Sequence, residues 1–256
     1  MEVHHHPKVE NPAHGGTGKK FKEHFFEFLM IFLAVTLGFF AENIRENIAN
    51  HVREISYMQG IVNDLKADTS EIRFIIRGQD FMLKQFEAAL SISPQQLHNA
   101  ALQDSFYHHY MYFYSFTVYF IAHNKTISQL RNNGGLTIIS QQNVIDSISE
   151  LNHFYDYYEV VDNGAYNDLY MKTIEEGAKV ISCPPLMSSM NLPVPSISHD
   201  LPAFIRDDLT TTRELYNYIN MEKGQLEQCM SAQENYRTKA GRLITFINKE
   251  YHFNNE

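Results

Sequence analysis

The sequence has few of the residues that cross-link a chain or interrupt its helices. Its 256 residues include only two cysteines, Cys183 and Cys229. Two cysteines are too few for a disulfide framework, although they could form one bridge in an oxidising compartment. A free, unbridged pair is the favoured interpretation. The 12 glycines and 8 prolines are clustered, which leaves room for long uninterrupted helices.

Positive charge is also scarce. The chain has 21 Lys and Arg against 30 Asp and Glu, a formal charge of −9. Binding to phosphate backbones needs a basic face, so nucleic acid is not expected as the main partner. Hydrophobic residues make up 44% and charged residues 20%. This balance is typical of a folded protein and excludes a disordered one.

One long apolar run stands near the N-terminus. Residues 28–41, FLMIFLAVTLGFFA, carry Thr36 as their only polar side chain. As a helix these fourteen residues span about 21 Å, against about 30 Å for the hydrocarbon core of a bilayer. Length alone therefore leaves three alternatives open: a membrane helix, the core helix of a soluble bundle, and a cleaved signal sequence.

The charges that flank the run favour the membrane helix. Lys19, Lys20 and Lys22 precede it, and Glu42 and Glu46 follow it. Lysines concentrate on the cytoplasmic side of membrane helices, so this asymmetry predicts an anchor with its N-terminus in the cytoplasm. We predict a flexible cytoplasmic tail over 1–20, a transmembrane helix over 21–44 and an extracytoplasmic domain over 45–256.

Cleavage of the run as a signal peptide is less favoured. Signal peptidase sites carry small residues in an A-x-A pattern, and Phe39 occupies the first of these positions ahead of Ala41. Ala34 and Gly38 form a small-xxx-small pair, which lets two membrane helices approach closely. They are the candidate contact residues for a homo-oligomer. Glu27 is interpreted as an interfacial carboxylate at the cytoplasmic end.

Two segments resemble a known family. The opening EVHHHP, followed by EFLMIFLAVTLGFFAENIRE, is similar to the N-terminus of a family of uncharacterised single-pass membrane proteins from Bacteroidota, recorded as a domain of unknown function. TISQLRNNGGLTII, at 126–139, resembles that family's internal motif. The resemblance covers essentially the whole chain. It implies a membrane-anchored helical architecture and no particular reaction.

The remaining chain predicts an all-α fold, in which the transmembrane helix continues into a bundle of long antiparallel helices. Apolar residues at three- and four-residue spacing predict a helix to about Leu90 and a last helix from Pro202 or Asp207 to Tyr251. Ser93-Pro94 begins another helix, and Gly134-Gly135 ends a short one. A helix is predicted over 141–181 and a proline-rich loop over 183–202.

The aromatic run SFYHHYMYFYSFTVYF, at 105–120, could form a strand or a helix on propensity alone. Its helical neighbours favour a helix. The tyrosine-rich segment at 153–170 suits either a binding surface or an aromatic core, and we predict a core.

No motif predicts a reaction. GGTGKK at 15–20 lacks the residues of a phosphate loop, and His4–His6 lack the fixed partners of a closed metal site. We predict no catalytic residues, no metal and no cofactor. The leading hypothesis is a non-enzymatic inner-membrane protein that binds a protein partner, a ligand or itself. The alternative is an enzyme or ligand-binding site around the run 105–123, built from residues such as His108, His109 and Tyr155.

Overall fold

The computed structural model describes residues 17–115, 119–132, 134–182 and 208–253. These residues contain helices and no strand, which confirms the all-α prediction. The proline-rich loop, Cys183 and His4–His6 lie outside the described residues. The six α-helices are α1 (Thr17–Ser91), α2 (Ala100–Ser115), α3 (Lys125–Asn132), α4 (Gln142–Tyr157), α5 (Gly164–Val180) and α6 (Leu209–Glu250).

Three shorter elements connect these helices. The 3₁₀ turns Pro94–His98 and Gly135–Ile138 follow α1 and α3, and a π-helical turn, Tyr158–Asn163, joins α4 to α5. Ser93 caps the first of them, as predicted. Gly134 has a φ of +64°, the left-handed conformation expected where α3 ends.

The chain divides into two compact units, Met1–Arg53 and Glu54–Glu256. The described part of the first unit is the N-terminal part of α1. Its large apolar side chains are exposed: Phe21, Phe25, Phe26, Phe28, Met30, Ile31, Phe32, Leu33, Val35, Leu37, Phe39, Phe40, Ile44, Ile48 and Val52. Among the described residues, this is the one helix long and apolar enough to cross a membrane, and its most apolar 18-residue window has a mean hydropathy of 1.9.

The second unit is built on a seam between α1 and α6. Buried positions on α1 alternate at four- and three-residue steps, which is the repeat of a coiled-coil seam: Glu54, Met58, Ile61, Leu65, Asp68, Ile72, Ile75, Gln79, Met82, Phe86 and Ala89. The same steps recur on α6: Thr212, Leu215, Ile219, Glu222, Leu226, Cys229, Gln233, Tyr236, Ala240, Leu243 and Ile247.

Hydrogen bonds show that α1 and α6 run antiparallel. Tyr216 bonds to the carbonyl of Ile92, Tyr236 to Asp68, and Tyr251 to Glu54, each at 2.7 Å. Residues later on α6 therefore meet residues earlier along α1. The prediction that the C-terminal helix closes the bundle against the first helix is confirmed.

The aromatic run is helical only in part. Residues 105–115 belong to α2, whereas Tyr119–Asn124 form a linker to α3 without regular secondary structure. The helix predicted over 105–120 is therefore wrong at Tyr119 and Phe120. Phe106, Tyr110 and Phe113 are fully buried, and Phe113 stacks on Phe86 with ring centroids 4.2 Å apart.

The tyrosine-rich segment is also divided between core and surface. Tyr158 and Tyr166 are buried, as predicted for an aromatic core, but Tyr157 is exposed. The helix predicted over 141–181 is interrupted by the π turn. There the carbonyl of Asp162 accepts hydrogen bonds from Gln225 Nε2 at 3.1 Å and Cys229 Sγ at 3.2 Å. The bundle thus uses this backbone oxygen to join the α4–α5 connection to α6.

Candidate functional site

The carboxylate of Asp68 is the centre of a buried polar cluster between α1, α6 and the α2–α3 linker. Its Oδ1 accepts from the backbone N–H of His123 at 2.8 Å and lies 2.7 Å from Nδ1 of the same residue. Its Oδ2 accepts from the hydroxyl of Tyr236 at 2.7 Å. Asp68 is completely buried, and these contacts satisfy both of its oxygens.

Side chains from other parts of the chain, instead of helical carbonyls, satisfy two backbone donors of the linker, the N–H groups of Ala122 and His123. Ala122 N–H donates to the hydroxyl of Tyr155 at 3.2 Å. Thr126 N–H, at the start of α3, donates to Asp64 Oδ2 at 3.0 Å. Phe120 is fully buried and contacts the rings of Tyr155 and Tyr236. The cluster therefore fixes both the position and the direction of the linker.

His123 is the solvent-facing member of the cluster. Its side chain is 48% exposed, whereas that of Asp68 is 1% exposed. The hydrogen bond to Asp68 raises the pKa of His123, and the charges of Asp68 and Glu71 add to this effect. The Nε2 atom has no hydrogen-bond partner among the described residues. A buried carboxylate that orients an exposed imidazole in this way is the arrangement that general bases and metal-binding histidines use.

A cavity of about 50 Å³ opens beside His123. Its polar lining includes Asp64, Asn152, Tyr155 and Asp156. The Nδ2 atom of Asn152 is buried there and has no hydrogen-bond partner in the described ranges. Because one water molecule needs a cavity of roughly 10–15 Å³, this cavity has room for a few waters or a very small molecule. The described residues contain no group of three His, Cys, Asp or Glu side chains that could hold a metal ion.

A second buried carboxylate, Glu54, lies on the same face of α1. Its Oε1 accepts from the backbone N–H and the hydroxyl of Ser140 at 2.7 and 2.8 Å, and from the hydroxyl of Tyr251 at 2.7 Å. Burial, followed by this bond to Glu54, raises the pKa of Tyr251. Glu54 thus joins the loop before α4 and the end of α6 to α1.

The alternative site built from His108, His109 and Tyr155 is brought together only in part: the two imidazole rings lie 5.8 Å apart, but Tyr155 is not beside them. His109 contacts Gln85 on α1, with Nδ1 and Oε1 2.8 Å apart, and burial lowers the pKa of this imidazole. Tyr155 belongs to the Asp68 cluster. Positions 85 and 68 are separated by about 25 Å along α1. His108 is exposed and stacks edge-on against Tyr112.

The candidate membrane-contact pair lies on the surface of α1. Ala34 and Gly38 are exposed, and a Cβ added at Gly38 would meet no atom within 4 Å. Their role in self-association stays a prediction.

Sequence reasoning missed Asp68 and Tyr236. The signal was present, because both occupy buried steps of a strict heptad, where a polar residue needs a partner. The partner could not be read from spacing, since Asp68 and Tyr236 stand 168 residues apart. No protein-family model, curated protein or solved structure matches this chain.

Proposed function

We propose that this chain is a single-pass inner-membrane protein whose extracytoplasmic helical unit acts by binding. The main support is a difference in side-chain exposure between two parts of α1. Between Phe21 and Val52 the large apolar side chains of α1 are exposed, whereas from Met58 onward most of its apolar residues are buried. An exposed apolar surface of this extent suits lipid contact.

The proposed orientation rests on charge. Lys19, Lys20 and Lys22 precede the apolar segment, and Glu42 and Glu46 follow it, which supports a cytoplasmic N-terminus. The second unit would then fold outside the cytoplasm. The proposed family resemblance to uncharacterised membrane proteins from Bacteroidota agrees with this arrangement.

A binding or scaffolding role suits the chemistry of the second unit. Its buried carboxylates Glu54 and Asp68 accept hydrogen bonds from groups of the same chain. Such groups serve to fix helices and loops in register. The proposed partner is another protein or a second copy, in which case Ala34 and Gly38 would lie at the membrane contact.

Topology is testable with two reporters fused to the C-terminus, one active only in the cytoplasm and one only outside it. The proposal expects activity from the external reporter alone. Reversing the flanks, with Lys19, Lys20 and Lys22 changed to Glu and Glu42 and Glu46 to Lys, should shift activity to the cytoplasmic reporter. A cytoplasmic C-terminus in the unaltered protein, or release of the protein by alkaline carbonate without detergent, would contradict it.

His123 supports a second candidate function, a small-molecule or catalytic site. The supporting observation is that Asp68 orients the imidazole beside a polar cavity, with Nε2 bonded to none of the described residues. General base activity toward an activated ester would reveal it in the purified full-length protein. The candidate expects hydrolysis that follows deprotonation of His123 and is lost in His123→Asn. Equal rates in the two proteins would exclude it.

A further inference from the structure

Glu222 is a buried acid that has no charged partner within the ranges the structure describes. It occupies a seam position of α6, and none of its surface is exposed. Neither Oε1 nor Oε2 has a hydrogen-bond partner among the described residues. An isolated carboxylate in such a place would be costly, because burial removes its hydration and nothing replaces it.

The hydroxyl groups around Glu222 are mostly committed as donors elsewhere. On α5, Thr173 Oγ1 donates to the carbonyl of Leu169 at 3.0 Å, and Tyr170 donates to the carbonyl of Tyr114 on α2 at 3.0 Å. Tyr110 of α2 donates to the carbonyl of Thr173 at 3.2 Å. These groups present lone pairs to their surroundings, and only a protonated carboxyl can donate to a lone pair.

Tyr166, also on α5, has a buried hydroxyl with no hydrogen-bond partner in the described part of the chain. It lies within electrostatic range of Glu222, since the charge of Glu222 adds to the burial that raises the pKa of Tyr166. Each helix of the α5–α6 interface therefore contributes one buried polar side chain, and the two lie within electrostatic range of each other.

Among the described residues, no cation is placed to offset a charge on Glu222. The adjacent Lys223 reaches outward, where its Nζ lies 2.6 Å from Glu227 and 3.9 Å from Glu87. On α1, the buried positions between residues 75 and 89 carry no ionisable group: Ile75, Gln79, Met82, Phe86 and Ala89. The titratable groups facing the acid are thus Tyr166 and Tyr170 on α5, with Tyr110 and Tyr114 of α2 behind them and Cys229 one heptad along α6.

We propose that Glu222 is an internal proton-binding site, and that loss of its proton weakens the packing of α5 on α6. Geometry carries this assignment: a fully buried acid, no cation beside it in the described part of the chain, and neighbours that can accept a hydrogen bond. In agreement, burial raises the pKa of Glu222 to about 8. The Thr173 hydroxyl, which could donate to the carboxylate by turning away from Leu169, opposes this rise. The inference stands independently of membrane topology.

The functional consequence is sensitivity to pH just above neutrality. A group with a pKa of about 8 passes from about 90% to about 10% protonated between pH 7 and pH 9. The second unit would therefore sense alkalinity through its core.

The pH dependence of unfolding gives the sharpest test. Unfolding exposes Glu222, whose pKa falls to its ordinary value, so the unfolded state binds one proton fewer between about pH 5 and pH 8. In this window the unfolding constant of the full-length protein in detergent should rise about tenfold per pH unit more steeply than that of Glu222→Gln. Glu214→Gln, which removes an exposed acid of the same helix, is the matched control and should retain the wild-type slope.

A spectroscopic readout does not depend on how well the variant folds. The infrared carbonyl stretch of a protonated carboxyl should be present in the folded wild type at pH 6 and disappear with a midpoint near pH 8. Titration near the ordinary value of 4.5, or equal slopes for wild type and Glu222→Gln, would overturn the proposal.

Discussion

The hydroxyl of Tyr236 lies 2.7 Å from Oδ2 of Asp68, and this contact joins the last helix to the first in the middle of the seam. The other oxygen of Asp68, Oδ1, accepts hydrogen bonds from the backbone N–H and from Nδ1 of His123. One buried carboxylate thereby fixes three parts of the chain. Each partner can be removed separately, which makes the cluster open to experiment.

Tyr236→Phe should destabilise the second unit by about 1–3 kcal/mol. The substitution keeps the aromatic ring but leaves Oδ2 of Asp68 buried without a donor, and an unsatisfied buried acceptor costs that amount. Denaturant unfolding followed by circular dichroism would measure the change. Tyr157→Phe is the control, because Tyr157 is exposed, and its unfolding midpoint should not move. A neutral effect of Tyr236→Phe would show that the hydrogen bond is not formed.

Asp68→Asn should lower the pKa of His123 toward the ordinary histidine value. The hydrogen bond to Asp68 is the largest cause of the raised pKa, and the amide cannot stabilise an imidazolium in the same way. NMR titration of the His123 ring, assigned with His123→Gln, would measure the shift. Glu71→Gln should lower the pKa of His123 by a smaller amount, because Glu71 Oε2 lies 3.6 Å from His123 Nδ1.

The raised pKa of His123 determines in which direction pH changes the stability of the linker. A histidine whose folded pKa is raised contributes stability that is fully present below its unfolded value of about 6.5. This contribution is lost as the pH rises through the raised folded value. The attachment of the α2–α3 linker should therefore weaken from about pH 6.5 upward, which hydrogen exchange at residues 120–124 would detect. Increased protection at higher pH would contradict the assignment.

Glu54→Ala should destabilise the second unit by about 1–3 kcal/mol and loosen the end of α6. The substitution leaves the N–H of Ser140 and the hydroxyl of Tyr251 without their acceptor, and hydrogen bonds to charged groups contribute about that much. Hydrogen exchange should increase at residues 247–251 more than in the middle of α6. Glu250→Ala, at the helix end, serves as the control.

Gly177→Ala and Gly224→Ala should have opposite effects, although both glycines lie inside helices. At Gly177 an added Cβ would overlap the hydroxyl of Tyr110 and lie 2.7 Å from its Cζ, so α5 could not approach α2 without a shift. Overpacking of this kind costs about 1–3 kcal/mol. At Gly224 the added atom meets nothing, and alanine should stabilise the helix by about 0.5–1 kcal/mol. Thermal unfolding of both variants measures the difference.

The helical seam could be predicted because periodicity is a local property of the sequence. Apolar residues at three- and four-residue steps marked α1 to Ser91 and α6 to Glu250 within a few residues. The aromatic run could not be assigned throughout, because tyrosine and phenylalanine suit both strands and helices. In the linker Tyr119–Asn124, Asp68 and Tyr155 supply backbone acceptors from distant parts of the chain, which local sequence does not reveal.

Polar residues within the seam were harder to interpret. Glu222 and Asp68 occupy equivalent steps of their helices, yet Asp68 has three donors and Glu222 has no partner among the described residues. Nothing in their local sequence distinguishes the two cases. The difference arises from which side chains the neighbouring helices place opposite them.

The contact between Tyr251 and Glu54 has a consequence for how the second unit can be rebuilt. The first residue of that unit is hydrogen-bonded to the residue that caps its last helix, so the two ends of the unit lie close together. If residue 253 were joined to residue 54 through a short linker, new termini could be placed at a surface connection, such as between the exposed residues Leu136 and Thr137. Circular permutation of this kind leaves the α1–α6 seam unchanged. The order of the helices along the chain could thus be changed while their packing in the bundle is kept.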